Sequence, residues 1–394
     1  NYMYQFDSRK ITPGDIFICL PGGEPFIKDA QKNGAIDVVH MTRYEMAAFA
    51  RTKFNNPSAK LKVVGITGTN GKTSVSHFVF QALKLLGEKP FVLGTLNSSL
   101  TTPESLDTVR LMSDHLSKGG THFVMEVSSH AIKQGRVAEI DFAVRCLTNI
   151  TQDHLDYHGS FEDYEQTKLS FLQADSESAI NPEQFLDLTV PDNPNLIGEF
   201  NKENLQATKQ ILRKLEISER KINSVLKQVK SPPGRFELIE GKQSFTAVVD
   251  YAHTPDSLES VLKTARNCLP SKKNKVLCLF GCGGDRDRGK RALMAAAALS
   301  FADKVVITQD NPRTEDPKQI IADILTGVPK AAGKYEIEEN RYIAIEKILK
   351  MAQKGDLVII AGKGHETVQI LASGPIEFDD RVVTRTHLTA MGYL

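Results

Sequence analysis

One nine-residue stretch, Gly65-Ile66-Thr67-Gly68-Thr69-Asn70-Gly71-Lys72-Thr73, constrains this chain more than any other feature. The run Leu61 to Ile66 (LKVVGI) reads as a short buried strand, and from about Ser74 to Leu86 the pattern is helical. The glycines therefore fall in a strand-to-helix turn, where backbone N–H groups close around phosphate oxygens at the positive end of a helix. In such a loop Gly68, Thr69, Asn70, Gly71 and Ser74 form the cradle for ATP, Lys72 neutralises charge on the β- and γ-phosphates, and Thr73 offers its hydroxyl to Mg²⁺. Strict spacing would place a glycine where Ile66 stands, so the loop is a variant with its glycine shifted to Gly65 or Gly68. An ordinary Gly-rich connection is the competing reading, and the order of strand, loop, Gly-Lys-Thr and helix favours nucleotide binding.

At 394 residues the chain exceeds what one core accommodates, and its punctuation suggests three α/β domains. Residues 1–58 carry short strands and turns around Asp15 to Leu20 (DIFICL), ending in the linker Asn55-Asn56-Pro57-Ser58. Residues 59–232 continue with apolar runs at Phe123 to Val127 and Phe142 to Leu147, separated by helical patterns, as in a parallel sheet covered by helices. Gln173 to Pro194 is polar and weakly periodic, and no element is assigned there. After Ser231-Pro232-Pro233-Gly234, residues 233–394 alternate again, with strands expected at Ala247 to Asp250, Val276 to Phe280, Val305 to Thr308 and Leu357 to Ala361.

Forty-nine basic and 48 acidic side chains leave a formal charge of +1, so phosphate-bearing partners must be held by local constellations, and nucleic acid is not an expected partner. Five scattered cysteines without a CxxC pair suit free thiols in a reducing cytoplasm. With no apolar run near the roughly 20 residues that cross a bilayer, and no export signal, a soluble protein off the membrane is expected.

Further strings follow in order: Asp7-Ser8-Arg9, Thr101-Thr102-Pro103, Glu126-Val127-Ser128-Ser129-His130, Asn149 with Asp153-His154-Leu155-Asp156, Tyr164 with Lys168, and Asn201 with Asn204. Then come Gly234-Arg235-Phe236-Glu237, the run Asp250 to Asp256 (DYAHTPD), Gly281 to Arg286 (GCGGDR), Asp310-Asn311-Pro312-Arg313 and Gly362-Lys363-Gly364-His365-Glu366. With TGTNGKTS, this ordered set closely resembles the Mur ligases, and among them those that add the third residue of the muramoyl peptide. The resemblance covers nearly the whole chain. It departs by being shorter before Phe6, near Thr95 to Leu96, and around Gln173 to Asn195.

The resemblance implies a small N-terminal domain that binds the UDP-linked precursor, a central P-loop ATPase domain with a parallel sheet, and a Rossmann-like C-terminal domain that receives the amino acid. It implies a reaction in which the D-Glu carboxylate of UDP-MurNAc-L-Ala-D-Glu is activated by ATP as an acyl phosphate and captured by an amine. It assigns Glu126, His154 and Lys168 to Mg²⁺, the lysine as a carbamate, beside Lys72 and Thr73. Read from the residues alone, Glu126 could be a helix cap or an arginine partner, His154 a solvated histidine, and Lys168 an exposed charge on a helix starting at Phe161. Asn204 is implied for adenine, although Asn201 and Asn204 also suit an N-cap and an exposed neighbour. Arg235 is implied as a cation for the transferring phosphate, Asp250 for ribose, and His253 for the adenine region or for structure alone.

Phe6, Ser8, Thr101, Thr102, Ser128, Gln134 and Arg136 match positions that hold the precursor. Thr101 and Thr102 also suit an N-cap before a helix starting at Pro103, a role compatible with the first, while the arginine fork of Arg136 suits a carboxylate or phosphate. For the incoming amino acid, Asp310, Asn311, Pro312 and Arg313 are the sharpest signal: a bidentate arginine demands the distal carboxylate of meso-diaminopimelate, and Arg286 resembles a second contact. Gly362 and Glu366 match positions that meet the distal ammonium. DNPR could also be only a type I turn. The alternatives are ligation of L-lysine, a folylpolyglutamate-synthase-like ligase, and an inactive nucleotide-binding module. A monomer is expected.

Overall fold

A computed structural model describes residues 3–151, 160–329 and 333–394. The chain forms two compact units, residues 1–190 with 203–226, and residues 191–202 with 227–394.

The first unit carries two sheets. Three short parallel strands, β1 (Tyr4–Gln5), β2 (Ile16–Cys19) and β3 (Asp37–His40), form the smaller one, and β2 is buried along its length. The larger is wholly parallel and comprises β4 (Lys62–Thr67), β5 (Pro90–Leu93), β6 (His122–Glu126), β7 (Val144–Leu147) and β8 (Ala179–Ile180), in the order β5-β6-β4-β7-β8. Continuous apolar runs in β4 and β6 follow from burial on both faces, the usual condition of a parallel sheet. The helix Lys72–Leu85 packs against this sheet through Val75, Phe78, Val79, Ala82 and Leu83, the helical spacing of one apolar face. Strand order reverses about β4, and in such sheets ligands bind beyond the carboxyl ends at that reversal. The phosphate loop occupies that place.

The stretch from Gln173 to Pro194 contains β8 and a short 3₁₀ turn, Pro182–Gln184. Two residues of edge strand generate too little alternation to be read from sequence, and β8 is fixed by its parallel register with β7.

The second unit is built on β9 (Glu237–Leu238), β10 (Thr246–Asp250), β11 (Val276–Phe280), β12 (Lys304–Ile307), β13 (Tyr335–Ile337) and β14 (Leu357–Ala361), in the order β13-β12-β11-β14-β10-β9. Only β9 runs antiparallel. A hairpin, β15 (Val368–Leu371) with β16 (Gly374–Glu377), follows. The DYAHTPD, GCGGDR, DNPR and GKGHE strings begin at or just beyond the carboxyl ends of β10, β11, β12 and β14 respectively, so four distant stretches of sequence converge on one edge. Beneath that edge Arg341 and Asp380 form a fully buried bidentate pair at 2.8 and 2.7 Å, and Arg341 also donates to the carbonyls of Gln309 and Ala361.

All five cysteines are free, as expected; burial pushes the thiols of Cys146, Cys278 and Cys282 up to about 12. Among the described residues no helix is long and apolar enough to cross a membrane.

Candidate active site

The phosphate loop is shaped by two glycines. Gly68 has φ +146°, and a Cβ there would lie 1.9 Å from Thr148 Oγ1; Gly71 has φ +83°, and a Cβ there would lie 2.6 Å from Asn204 Oδ1. The position a strict motif gives to glycine is Ile66, buried inside β4, so the conformational freedom the loop needs falls on Gly68 instead. The segment after β7 braces the loop. Thr148 Oγ1 donates to the Asn70 carbonyl at 2.6 Å, the Asn70 N–H donates to Asn149 Oδ1 at 2.9 Å, and the Thr69 N–H donates to the Asn149 carbonyl at 2.9 Å.

Two lysines converge on one oxygen of this loop. Lys72 Nζ donates to the carbonyls of Gly68 (2.8 Å) and Thr69 (2.9 Å), and Lys168 Nζ donates to the same Gly68 carbonyl at 2.9 Å. Lys168 is 1% exposed on the helix Phe161–Gln173 and packs 4.6 Å from the Tyr164 ring, whose hydroxyl meets Thr69 Oγ1. The alternative reading of Lys168 as an exposed, solvated charge is thus corrected. Its position one turn beyond the buried Tyr164 turns it into the loop, a placement that residue type alone does not encode. The alternative reading of Asn201 and Asn204 as an N-cap and an exposed neighbour is also corrected. The helix begins at Glu199, both are buried within it, and Asn204 abuts Gly71.

Glu126 ends β6 with 1% exposure. Its carboxylate accepts from Thr73 Oγ1 at 2.9 Å and from the Thr95 N–H at 2.9 Å, and Thr95 Oγ1 meets Thr101 Oγ1 at 3.1 Å. Among the described residues Glu126 neither caps a helix nor pairs with an arginine. A hydroxyl and a carboxylate side by side at a helix N-terminus that already holds the phosphate loop are the hard oxygen donors that Mg²⁺ takes. His154 lies outside the described residues.

Thr101 and Thr102 do not cap a helix at Pro103, because that helix starts at Ser105 with Glu104 as N-cap. Thr102 Oγ1 instead donates to the Glu126 carbonyl at 2.9 Å and accepts from the Ser128 N–H at 3.0 Å. Arg136 donates to the Thr102 carbonyl (3.0 Å) and to Gln134 Oε1 (2.6 Å), and pairs with Glu104 at 3.3 Å. Glu104 in turn binds Arg43 at 3.0 Å. Arg43 and Glu104 line a cavity of about 590 Å³ together with Phe6, Ser8, Phe17 and Phe26. Phe6 and Ser8 are therefore brought together, while Ser128, Gln134 and Arg136 connect to that cavity through Glu104. The Arg43–Glu104 link spans 61 residues and has no local sequence signal.

In the second unit Asp250 accepts from the N–H groups of Phe236 (2.7 Å) and Ala252 (2.8 Å). Burial raises its pKa, against the lowering effect of those bonds. The carboxylate thereby pins the Arg235 turn, where Phe236 has φ +47° and the Arg235 guanidinium lies 5.1 Å from the Tyr251 ring. His253 Nδ1 contacts the Tyr251 carbonyl at 2.8 Å, and its ring packs on Tyr251.

Around β12 and β14 the DNPR and GKGHE strings interlock. Asn311 Nδ2 donates to Glu366 Oε2 at 2.9 Å, and Lys363 Nζ donates to Asn311 Oδ1, Glu366 Oε2 and the Val368 carbonyl at 3.0, 2.9 and 2.7 Å. Burial works against the charge of Glu366, yet Lys363 and Asn311 carry its carboxyl below the usual range. Burial raises Asp310, opposed by Arg341 and Lys363; its carboxylate faces Gly362, where φ is +117°. DNPR does not close as a type I turn, since the Arg313 N–H donates to the Ile370 carbonyl at 2.9 Å and not back to Asp310; Arg313 has φ +53°, and its Nη1 donates to the Gly284 carbonyl at 2.8 Å. Arg286 is exposed. Lys363, wholly buried, was not singled out from sequence as a site residue, because a lysine between two glycines gives no sign of burial.

Residues 66–184 match the Mur ligase middle domain, and residues 234–364 match the Mur ligase glutamate ligase domain. The chain is 37% identical to the UDP-N-acetylmuramoyl-L-alanyl-D-glutamate--2,6-diaminopimelate ligase of Solibacter usitatus, over 98% of this chain and 93% of that protein. It is 37% identical to the ligase of the same name from Geobacillus thermodenitrificans, over 97% and 93%. The first alignment spans 467 positions against a chain of 394 residues, so that relative has segments this chain lacks. A solved structure of a ligase of this name superposes with TM-score 0.66 at 31% identity, covering 100% of this chain and 96% of that one. The ADP complex of MurF from Thermotoga maritima shares the fold, with TM-score 0.58 at 17% identity over 99% and 96%.

Proposed function

The chain belongs to the Mur ligase family, and from that premise we propose that it joins meso-diaminopimelate to the D-Glu carboxylate of UDP-MurNAc-L-Ala-D-Glu at the expense of ATP. The observation that carries this reading is the Gly68 carbonyl shared by two lysines, next to a Thr73–Glu126 contact, at the carboxyl end of a parallel sheet. Phosphorylating a carboxylate crowds negative charge together, and such a site needs fixed cations and metal more than an acid/base pair. Lys72 supplies one cation. Thr73 and Glu126 are proposed to hold Mg²⁺, which when bound neutralises phosphate charge. Glu104 and Arg43 line the cavity in which Phe6 and Ser8 are proposed to receive the precursor, and Arg136 pairs with the same Glu104. L-Lysine and folylpolyglutamate-type ligation are not favoured, because the relatives named above at 31–37% identity over 97% or more of this chain carry the name of diaminopimelate ligases. The cytoplasm, where UDP-linked precursors and ATP coexist, is the proposed compartment.

The test supplies ATP, Mg²⁺ and UDP-MurNAc-L-Ala-D-Glu with meso-diaminopimelate or L-lysine separately, and weighs the products. A tripeptide mass with diaminopimelate is expected; its absence, or an equal yield with lysine, rejects the assignment.

Lys168 is proposed to act as a carbamate, formed when its neutral amine attacks CO₂ and releases a proton, which converts a buried cation into an oxygen ligand for Mg²⁺. Protein equilibrated with ¹³C-bicarbonate should show a carbamate carbon resonance that Lys168→Ala lacks. A spectrum without that resonance, recorded on active protein, disproves the modification.

A further inference from the structure

We propose that Arg291 and Glu315 are a positioning pair that sets the spacing of Arg286 and Arg313, and through it the preference for an amino acid with a distal carboxylate. This rests on the diaminopimelate reading and extends it to residues that do not touch the substrate. Arg291 is wholly buried near the start of the helix Gly289–Phe301, which follows the loop bearing Arg286. Its guanidinium binds Glu315 bidentately at 2.9 and 3.0 Å, Asp323 at 2.7 Å and the Gly283 carbonyl at 3.2 Å. Glu315, two residues beyond Arg313, also accepts the Asp285 N–H at 2.5 Å. One carboxylate therefore ties the backbone beside Arg286 to the segment carrying Arg313.

Three further links close the same seam. The Gly284 N–H donates to the Asn311 carbonyl at 2.9 Å, Thr314 Oγ1 donates to the Asp285 carboxylate at 2.8 Å, and Arg313 Nη1 donates to the Gly284 carbonyl at 2.8 Å. Asp285 and Arg313 each adopt φ +53°, a conformation that non-glycine residues keep only where the surroundings impose it. Gly284 leaves no room for slack, since a Cβ there would lie 1.9 Å from the Pro312 carbonyl oxygen. Two exposed or half-exposed arginines on separate loops would otherwise fluctuate, and displacement of about 1 Å costs on the order of 10²-fold where bidentate geometry is required. Arg291 and the backbone N–H of Asp285 hold the Glu315 carboxyl down at about 2, so the pair stays ionised at working pH.

Glu315→Ala leaves Arg291 with Asp323, so its buried charge keeps a partner. In the full-length protein this variant should raise KM for diaminopimelate about tenfold or more, with kcat and KM for ATP within about twofold. Glu315→Gln keeps an oxygen acceptor and should rescue most of the loss. Introduced into Arg313→Ala, Glu315→Ala should cost little more, because residues acting through a shared partner are not additive. The inference is overturned by an unchanged KM for diaminopimelate, by a parallel loss in kcat and ATP affinity, or by a full effect that persists without Arg313. Should Glu315→Ala fail to fold, Arg291→Lys carries the same readouts with Glu315→Gln as its near-parent control, and an unchanged KM for diaminopimelate in Arg291→Lys overturns it. Failure of the parent protein to ligate diaminopimelate is a separate result and rejects the functional reading itself.

Discussion

Lys72→Met is expected to lower phosphate release in the presence of all substrates by about 10³-fold or more while the protein remains folded. Methionine keeps the length of the stem and a high helix propensity, so the helix Lys72–Leu85 should persist and only the charge is lost. Lys72 Nζ donates to the carbonyls of Gly68 and Thr69, within the loop itself. On the proposed reading an ammonium held there would meet the phosphate oxygens of ATP, and exchanging two neutral acceptors for an anion would strengthen each bond. Lys72→Arg should not restore activity, because a planar five-donor fork cannot reproduce a compact point charge in so tight a loop. Turnover within threefold of the parent, measured as inorganic phosphate under saturating ATP, would falsify the role of Lys72.

Arg313→Ala is expected to reduce kcat/KM for meso-diaminopimelate by about 10²- to 10³-fold, since truncating one partner of a hydrogen-bonded charge pair costs about 2–5 kcal/mol. The preference over L-lysine should collapse with it, while KM for ATP stays as it was. Lysine lacks only the distal carboxylate and its stereocentre, so a site reading that group discriminates by leaving its own cation unpaired when lysine binds. Arg313 is held in place on both sides: its N–H donates to the Ile370 carbonyl at 2.9 Å, and its Nη1 donates to the Gly284 carbonyl at 2.8 Å. Competition between the two amino acids, scored by product mass, decides the matter; a selectivity ratio unmoved by the substitution removes Arg313 as the reader.

Much of the fold was legible because its determinants are local. The runs Val276 to Phe280 and Leu357 to Ala361 are strands at those bounds, since continuous apolar sequence flanked by turns has few other outcomes. The phosphate loop was legible for the same reason, as glycine spacing and helix polarity act over a few residues. The short strands β3, β5, β8 and β13 were not, because two to four residues of edge or half-buried strand acquire identity only from their neighbours. Among the site residues, Lys168 and Lys363 show the same limit. Each is a lysine whose burial depends on carbonyls or acceptors distant in sequence, Gly68 for one and Asn311 for the other.

The sequence by itself determined the phosphate loop, the α/β alternation and, through the order of its motifs, the family to which the chain belongs. Those are properties of spacing and of local backbone preference. Only the tertiary structure decided that Glu126 faces Thr73 instead of capping a helix, that Thr102 serves the backbone around Glu126, and that Arg291 and Glu315 tie the two arginine loops together. These bonds join residues 24 to 53 positions apart, and the choice among many possible partners for a charged side chain is made by which strand ends the sheet brings side by side.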